Sequence, residues 1–141
     1  MGRILAVDPG TRRVGVAVSD PTGTIAQPLL ALPAEPAATL VARLAALAGE
    51  QEATGLVVGL PRRLDGGQGP EAKAARQLAE SLRLASGLPV TLVDERLTSV
   101  AAERSLLAAG ASRARRRQLS DQVAAALILQ SYLDSRAGGG R

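Results

Sequence analysis

The sequence predicts an α/β fold in which a mixed five-stranded sheet is flanked by helices. The first apolar runs of the chain are separated only by short turns, which is typical of antiparallel hairpins. The later apolar runs alternate with helical stretches, which is typical of parallel βαβ units. At 141 residues, the chain has the length of one domain.

The antiparallel part of the sheet has three predicted strands, over residues 3–8, 13–19 and 25–32. Pro9-Gly10 turns the chain after strand one, and Asp20-Pro21-Thr22-Gly23 turns it after strand two. Because each turn is short, neighbouring strands run in opposite directions. Pro33 ends the third strand.

The remaining predicted elements alternate between helix and strand. Apolar residues at helical spacing predict the first helix, and a short apolar run predicts a strand buried on both faces and parallel to strand one. A loop over 61–70 precedes a second helix that begins at Pro70, which suits a first helical turn. In order, the elements cover 36–49 (helix), 55–60 (strand), from 70 (helix), 90–93 (strand), 98 or 99 to 109 (helix) and 119–135 (helix). Residues 1–136 are predicted to form a single domain, and 137–141 a flexible tail.

The composition excludes several kinds of catalytic site. The chain has no Cys and no His, so disulfides, thiolate or imidazole metal sites and Ser-His-Asp triads are excluded. It has no Phe, no Trp and one Tyr, which disfavours stacking on single-stranded bases. Catalysis must therefore use carboxylates, Lys or Arg, hydroxyls or a bound ion.

The charge favours a polyanionic partner. Sixteen of the 17 basic residues are Arg, and the net charge is +4. A basic domain of this size is typical of nucleic-acid binding, although a solvated basic surface gives the same charge. No apolar run approaches the roughly 20 residues that span a bilayer, and no signal peptide precedes strand one. We therefore expect a cytoplasmic protein with no membrane partner.

Acidic residues follow the predicted parallel strands at their carboxyl ends. Asp8 ends strand one, and Asp94-Glu95 follows the strand over 90–93. Neighbours on a strand point to opposite faces, so only one of Asp94 and Glu95 can share a face with Asp8, and alternation leaves this choice open. Asp121 begins the last helix, on one stripe with the small residues Ala124 and Ala125.

Three carboxylates meeting without histidine predict a site for a hard cation, Mg²⁺ or Mn²⁺. Each also has a purely structural interpretation. Asp8 could accept amide hydrogen bonds in an Asx turn, Glu95 could pair with Arg96 at the surface, and Asp121 could cap its helix. Their common location at one side of one sheet favours the metal site.

Such a site suits phosphodiester hydrolysis, because two metal ions about 4 Å apart can activate water and stabilise the leaving oxygen without a protein base. Basic residues beside the site would bind the neighbouring phosphates. The candidates, most of them in predicted loops, are Arg12, Arg13, Arg62, Arg63, Arg96, Arg115, Arg116 and Arg117. Solubility is the alternative role for each pair, whereas the run Arg115-Arg116-Arg117 favours phosphate binding.

Four segments, in order along the chain, resemble one known family. They are Asp8-Pro9-Gly10-Thr11 with Gly15–Asp20, Gly59-Leu60-Pro61 with Asp65-Gly66, Asp94–Ser99, and Asp121 with Ala124-Ala125 and Ile128–Leu133. On these segments the chain resembles the YqgF-type family of pre-16S rRNA nucleases, once described as Holliday-junction resolvases, within the RuvC and ribonuclease H-like superfamily.

The resemblance implies a ribonuclease H-like fold and catalytic divalent metal held by Asp8, Glu95 and Asp121. It thereby favours Glu95 over Asp94. It also implies processing of the 5′ end of precursor 16S rRNA, and self-association as a homodimer. Glycines of the matching segments, Gly10, Gly15 and Gly59, are expected near the site.

The chain departs from the family in one loop. Members usually have Asn between the Gly-Leu-Pro and Asp-Gly elements, where this chain has Arg62-Arg63-Leu64. We expect Arg63 to contact phosphate there instead.

Other functions remain as alternatives. A Holliday-junction or other structured-DNA endonuclease would use the same chemistry, and a junction resolvase should be a two-fold dimer. A non-catalytic nucleic-acid-binding assembly factor could keep the same fold. The turn Asp8–Thr11 also resembles the phosphate loop of actin-like ATPases and sugar kinases, but these need a second lobe that 141 residues do not supply.

Overall fold

A computed structural model describes residues 2–61, 69–97 and 113–139 of the chain. Within these ranges it describes all side chains except those of residues 97, 113–122 and 138–139. The predicted helix from 98 or 99 to 109 lies outside the described residues.

A mixed sheet of five strands, in the order β3-β2-β1-β4-β5, forms the centre of the fold. The first three strands pair antiparallel, while β4 pairs parallel with β1 and β5 pairs parallel with β4. The strands are β1 (Arg3–Asp8), β2 (Arg13–Ser19), β3 (Ala26–Pro33), β4 (Ala53–Leu60) and β5 (Val90–Asp94). The predicted fold class, with its antiparallel β1-β2-β3 unit and later parallel strands, is confirmed.

The described helices are α1 (Ala37–Glu50), α2 (Pro70–Ser86) and α3 (Arg113–Gly139), and a 3₁₀ turn, Glu95–Leu97, follows β5. Proline at the first position starts α2, as predicted. The helix ends where Gly87, with φ of 72°, donates its N–H to the carbonyl oxygen of Arg83 at 3.0 Å.

Helices cover both faces of the sheet, so side chains alternate between two cores. On β1, Leu5 and Val7 pack in the core under α1 and α2, whereas Ile4 and Ala6 pack in the core under α3. On β4, the even-numbered Leu56 and Val58 belong to the first core. This alternation determines on which face each residue at a strand end lies.

Helix α3 runs from the carboxyl edge of the parallel strands to their amino edge. Ile128 lies next to Gly59, near the carboxyl end of β4. Two residues further on, the Gln130 side chain accepts the N–H of Ala26, the first residue of β3, at 2.9 Å. Because β3 is parallel to β1, Ala26 lies at the amino edge. The buried alanines Ala124 and Ala125 let the helix approach the sheet closely.

The bounds of α3 correct the sequence prediction. The helix begins at Arg113 instead of 119 and ends at Gly139 instead of 135. Arg residues are good helix formers, but the stretch before residue 119 lacks the apolar periodicity that predicted the rest. Arg115, Arg116 and Arg117 are therefore helical, and their placement in a loop was wrong. The division into a domain over 1–136 and a tail over 137–141 stays a prediction.

Among the helices in the described ranges, none combines the length and the apolar character that a membrane-crossing segment needs.

Candidate functional site

Asp8, the last residue of β1, has a buried carboxylate. The residue is 5% exposed, and its Oδ1 atom is fully enclosed. Alternation places Asp8 on the same face as Ile4 and Ala6, beneath α3. A buried carboxylate costs several kcal/mol unless charge or hydrogen-bond donors compensate it, so its neighbours determine its role.

Glycines lie on both strands that flank Asp8. On β2, Gly15 is the register partner of Asp8. On β4, Gly59 follows Val58, which is the register partner of Val7. Neither neighbouring strand therefore has a side chain beside the Asp8 carboxylate on this face of the sheet.

The Glu95 side chain lies near the Asp8 carboxylate, although it comes from the end of β5, on the other side of β4 from β1. It follows β5 directly, in the 3₁₀ turn, and is 9% exposed. A Cβ atom at Gly59 would lie 3.5 Å from Oδ1 of Asp8 and 3.6 Å from Cγ of Glu95. The two acidic side chains thus converge over one glycine, although their strands are not adjacent.

Asp94 lies on the opposite face of the sheet. On β5, Val90 and Leu92 pack against the core under α1 and α2, and Val93 packs against the core under α3. Asp94 therefore shares the side of Leu92, and Glu95 shares the side of Val93. The structure thus resolves the choice that alternation left open, because Glu95 is the residue on the face of Asp8.

The Asp94 carboxylate binds the guanidinium of Arg96. The distance from Nη2 of Arg96 to Oδ2 of Asp94 is 2.9 Å, and Oδ1 also accepts the backbone N–H of Arg96 at 2.9 Å. Arg96 was predicted to contact nucleic acid. Its charge is partly balanced within the chain, on the other side of the sheet from the Asp8–Glu95 pair.

Asp121 lies in α3, seven residues before Ile128. Seven residues are close to two helical turns, so the two positions lie on one stripe of the helix. Ile128 contacts Gly59, and the helix continues from there toward the edge where β1 and β5 end. The side chain of Asp121 lies outside the described part of the chain. Among the described side chains, no group of three or more metal-ligating residues is found.

Two of the predicted phosphate-binding residues lie at this edge of the sheet. Arg12 is exposed in the turn after Asp8, and Arg13 opens β2 with its side chain exposed. Arg115, Arg116 and Arg117 lie in the first turns of α3, where only the backbone is described. Arg62 and Arg63 lie outside the described residues.

Gly10 lies in the turn that connects Asp8 to Arg13. A Cβ atom there would collide with the carbonyl oxygen of Arg13, so the turn accepts no larger residue without moving. Gly10 lies two residues after Asp8, while Gly15 and Gly59 flank Asp8 on the neighbouring strands.

The donor set suits a hard divalent cation. Asp8 and Glu95 offer carboxylate oxygens, and the whole chain has no His or Cys that would select a softer metal. Two buried acidic groups at one place repel each other, and a cation between them would remove that repulsion. The chemistry of the described residues thus fits Mg²⁺ or Mn²⁺.

Sequence reasoning missed one neighbour of the site. Ile128 was on the predicted apolar stripe of the last helix, but nothing assigned it a place beside the carboxylates. Its contact with Gly59 depends on where α3 crosses β4, which periodicity does not specify.

The chain matches known proteins over almost its whole length. A family model described as "RuvX: Holliday junction resolvase" matches residues 2–135. The chain is 51% identical to the "Putative pre-16S rRNA nuclease" of Moorella thermoacetica over 132 residues, 94% of each chain. It is 44% identical to the protein of the same name from Roseiflexus sp. over 135 residues, 96% of each chain.

Solved structures confirm the ribonuclease H-like fold. RuvC from T. thermophilus, in complex with a Holliday junction substrate, superimposes with a TM-score of 0.61 at 16% identity, over 98% of this chain and 97% of that one. Fowlpox virus resolvase, in complex with Holliday junction DNA, gives a TM-score of 0.56 at 13% identity, over 94% and 97%. At these identities the similarity concerns the fold alone.

Proposed function

The chain belongs to the RuvX family, and from this membership we propose that it is a divalent-metal-dependent nuclease that processes the 5′ end of precursor 16S rRNA. The names of its relatives support the substrate, since both are called pre-16S rRNA nucleases. One observation carries the catalytic part of the proposal. Asp8 Oδ1 and Glu95 Cγ both lie within 3.6 Å of the Cβ position of Gly59.

Asp8 and Glu95, together with Asp121 of α3, would hold Mg²⁺ or Mn²⁺. When bound, such an ion supplies positive charge that activates water and stabilises the leaving oxygen of a phosphodiester. The chain contributes the placement of the ligands. The β1 and β5 ends hold two carboxylates at fixed positions beneath α3, and burial limits their contact with bulk water.

Cationic residues around the carboxylates support a nucleic-acid substrate. Arg12 and Arg13 are exposed at the edge where Asp8 lies. Helix α3 begins with Arg residues and has no acidic residue in its first turn. Positive charge at a helix N-terminus opposes the helix dipole by about 0.3–1 kcal/mol per group, and a bound phosphate would relieve that repulsion.

Cleavage of a precursor 16S rRNA fragment by purified variants tests the proposal. Asp8→Asn and Glu95→Gln keep side-chain shape but remove the charge. We expect each to lower the cleavage rate by about 100-fold or more, because several kcal/mol of transition-state stabilisation are lost. Asp94→Asn is the matched control, since it removes a neighbouring carboxylate on the opposite face, and we expect nearly wild-type cleavage.

Unchanged cleavage in Asp8→Asn would place the activity elsewhere or in a contaminant. Wild-type protein that binds the rRNA fragment without cleaving it would support the non-catalytic assembly factor instead. Circular dichroism and melting curves should accompany each assay, so that loss of folding is not counted as loss of chemistry.

A Holliday junction is the second candidate substrate, because the matching family model carries a resolvase description. A resolvase must cut two strands symmetrically, which requires two active sites related by a two-fold axis. Paired cuts in a synthetic four-way junction, with precursor rRNA left intact and the protein dimeric in solution, would replace the RNA substrate with DNA.

A further inference from the structure

We propose that Gly59 is a positioning residue, which sets how closely α3 approaches the two carboxylates through its contact with Ile128. The inference rests on the proposed function, since it concerns the carboxylates that would hold the metal. Helix α3 carries Asp121, and the strand ends carry Asp8 and Glu95. The absence of a side chain at Gly59 sets the distance between that helix and those strand ends.

Space, and not backbone conformation, requires glycine at this position. The described glycines with positive φ are Gly23 and Gly87, so the backbone of Gly59 accepts an alanine. A Cβ atom at Gly59 would however lie 2.7 Å from Cδ1 of Ile128, closer than carbon atoms approach in folded proteins. Cδ1 is the flexible end of the Ile128 side chain, but Ile128 is fully buried, so a new rotamer has to displace its neighbours in a close-packed core.

The collision would be with the helix and not with the acidic side chains. The same Cβ atom would lie 3.5 Å from Asp8 Oδ1 and 3.6 Å from Glu95 Cγ, which are ordinary contact distances. An alanine at position 59 therefore leaves the carboxylates where they are and displaces the Ile128 side chain, and the close-packed core transmits this displacement to the backbone of α3. Because α3 is one continuous helix, a shift at Ile128 also moves Asp121, two turns away on the same stripe.

Gly55 offers a matched control on the same strand. It precedes Gly59 by four residues, so both lie on the face toward α3. A Cβ atom at Gly55 would lie 3.4 Å from Cδ1 of Ile4, an ordinary contact. Gly55→Ala thus makes the same chemical change in β4 without displacing the helix.

The test is a size exchange between positions 59 and 128, with Mn²⁺ affinity measured by titration calorimetry as the readout. We expect Gly59→Ala to lower Mn²⁺ affinity by roughly 10-fold or more, the effect typical of residues that support metal ligands. Gly55→Ala should bind like wild type. Ile128→Val removes the Cδ1 atom, so the double variant Gly59→Ala/Ile128→Val should recover most of the affinity.

Each outcome decides the proposal. Mn²⁺ affinity unchanged in Gly59→Ala overturns it, and so does a double variant that recovers neither folding nor affinity. A Gly59→Ala chain that fails to fold, with a double variant that folds and binds Mn²⁺, supports it. Wild-type protein that binds no Mn²⁺ would instead contradict the proposed function, which separates the failure of the two ideas.

Discussion

Asp8 and Glu95 belong to elements that are separated by a whole strand, yet their side chains meet over Gly59 of that strand. Gly59 borders both side chains, because a Cβ atom there would lie 3.5 Å from Oδ1 of Asp8 and 3.6 Å from Cγ of Glu95. Two buried acidic groups then share one place at the carboxyl edge of the parallel strands, the edge at which α/β sheets bind their ligands.

Divalent metal should stabilise the protein through these two carboxylates. A ligand that binds only the folded state adds about 2.7 kcal/mol at a concentration of 100 times its Kd. We therefore expect Mn²⁺ to raise the Tm of wild type and of Asp94→Asn, but not that of Glu95→Gln. Differential scanning fluorimetry in Mn²⁺ and in chelator measures this, and a full Mn²⁺ shift in Glu95→Gln would exclude Glu95 as a ligand.

Arg12 should contribute to RNA affinity through charge. Its side chain is exposed, while its backbone carbonyl accepts the N–H of Ala34 at 2.8 Å, so Arg12→Ala leaves the turn anchored. Loss of one phosphate contact should weaken binding to all RNA sequences and lower the salt slope of log K by about 1. Arg43→Ala, an exposed residue of α1, is the control. Equal salt slopes for wild type and Arg12→Ala in filter-binding titrations would count against the contact.

Asp20 should make stability depend on pH in the acid range. Its carboxylate accepts the N–H of Ile25, the hydroxyl of Thr22 and the N–H of Thr24, and these bonds hold the pKa of Asp20 well below its usual range. A carboxyl whose pKa falls on folding stabilises the protein above its unfolded pKa, near 3.9, and this contribution is lost as pH falls toward the folded pKa.

Asp20→Asn removes this titration. We expect the Tm difference between wild type and Asp20→Asn to be largest above about pH 5 and to shrink steadily at lower pH. Melting curves between neutral and strongly acid pH measure it. A Tm difference that stays constant over the whole range would mean that the carboxylate charge does not stabilise this turn.

Gln130 should stabilise the fold by joining α3 to the start of β3. Its side chain accepts the N–H of Ala26 and donates to the carbonyl oxygen of Thr24, both at 2.9 Å. Gln130→Ala leaves the part-buried N–H of Ala26 without that partner, which we expect to cost about 1–3 kcal/mol, whereas water can replace the donor to the exposed carbonyl of Thr24. Gln27→Ala, on the exposed side of β3, should cost under about 0.5 kcal/mol. Similar urea midpoints for the two variants would contradict this role of Gln130.

Much of the fold follows from apolar patterning. The order of the described elements was predicted, since each strand and helix that packs on the core has its own apolar run or period. Element ends were less predictable. Strand β4 begins at Ala53, where its backbone already pairs with β1, two residues before the predicted start. The prediction started late because the exposed Thr54 interrupts the apolar run.

The site was only partly predictable for a similar reason. Asp8 and Glu95 could be identified as residues at strand ends, but alternation alone gives each strand two equivalent faces. Which face carries α3 depends on the packing of Ala6 and Val57 beneath that helix. This packing depends on tertiary structure, which strand alternation does not specify. At the level of the sequence, only the family resemblance favoured Glu95 over Asp94.

Anomalous diffraction from crystals soaked in Mn²⁺ tests the central claim most directly. We predict a manganese peak bound by carboxylate oxygens of both Asp8 and Glu95, with Asp121 as the third ligand and with Asp94 still paired to Arg96. Manganese bound only elsewhere, or ligated by Asp94 in place of Glu95, would contradict the assignment of this strand edge as the active site.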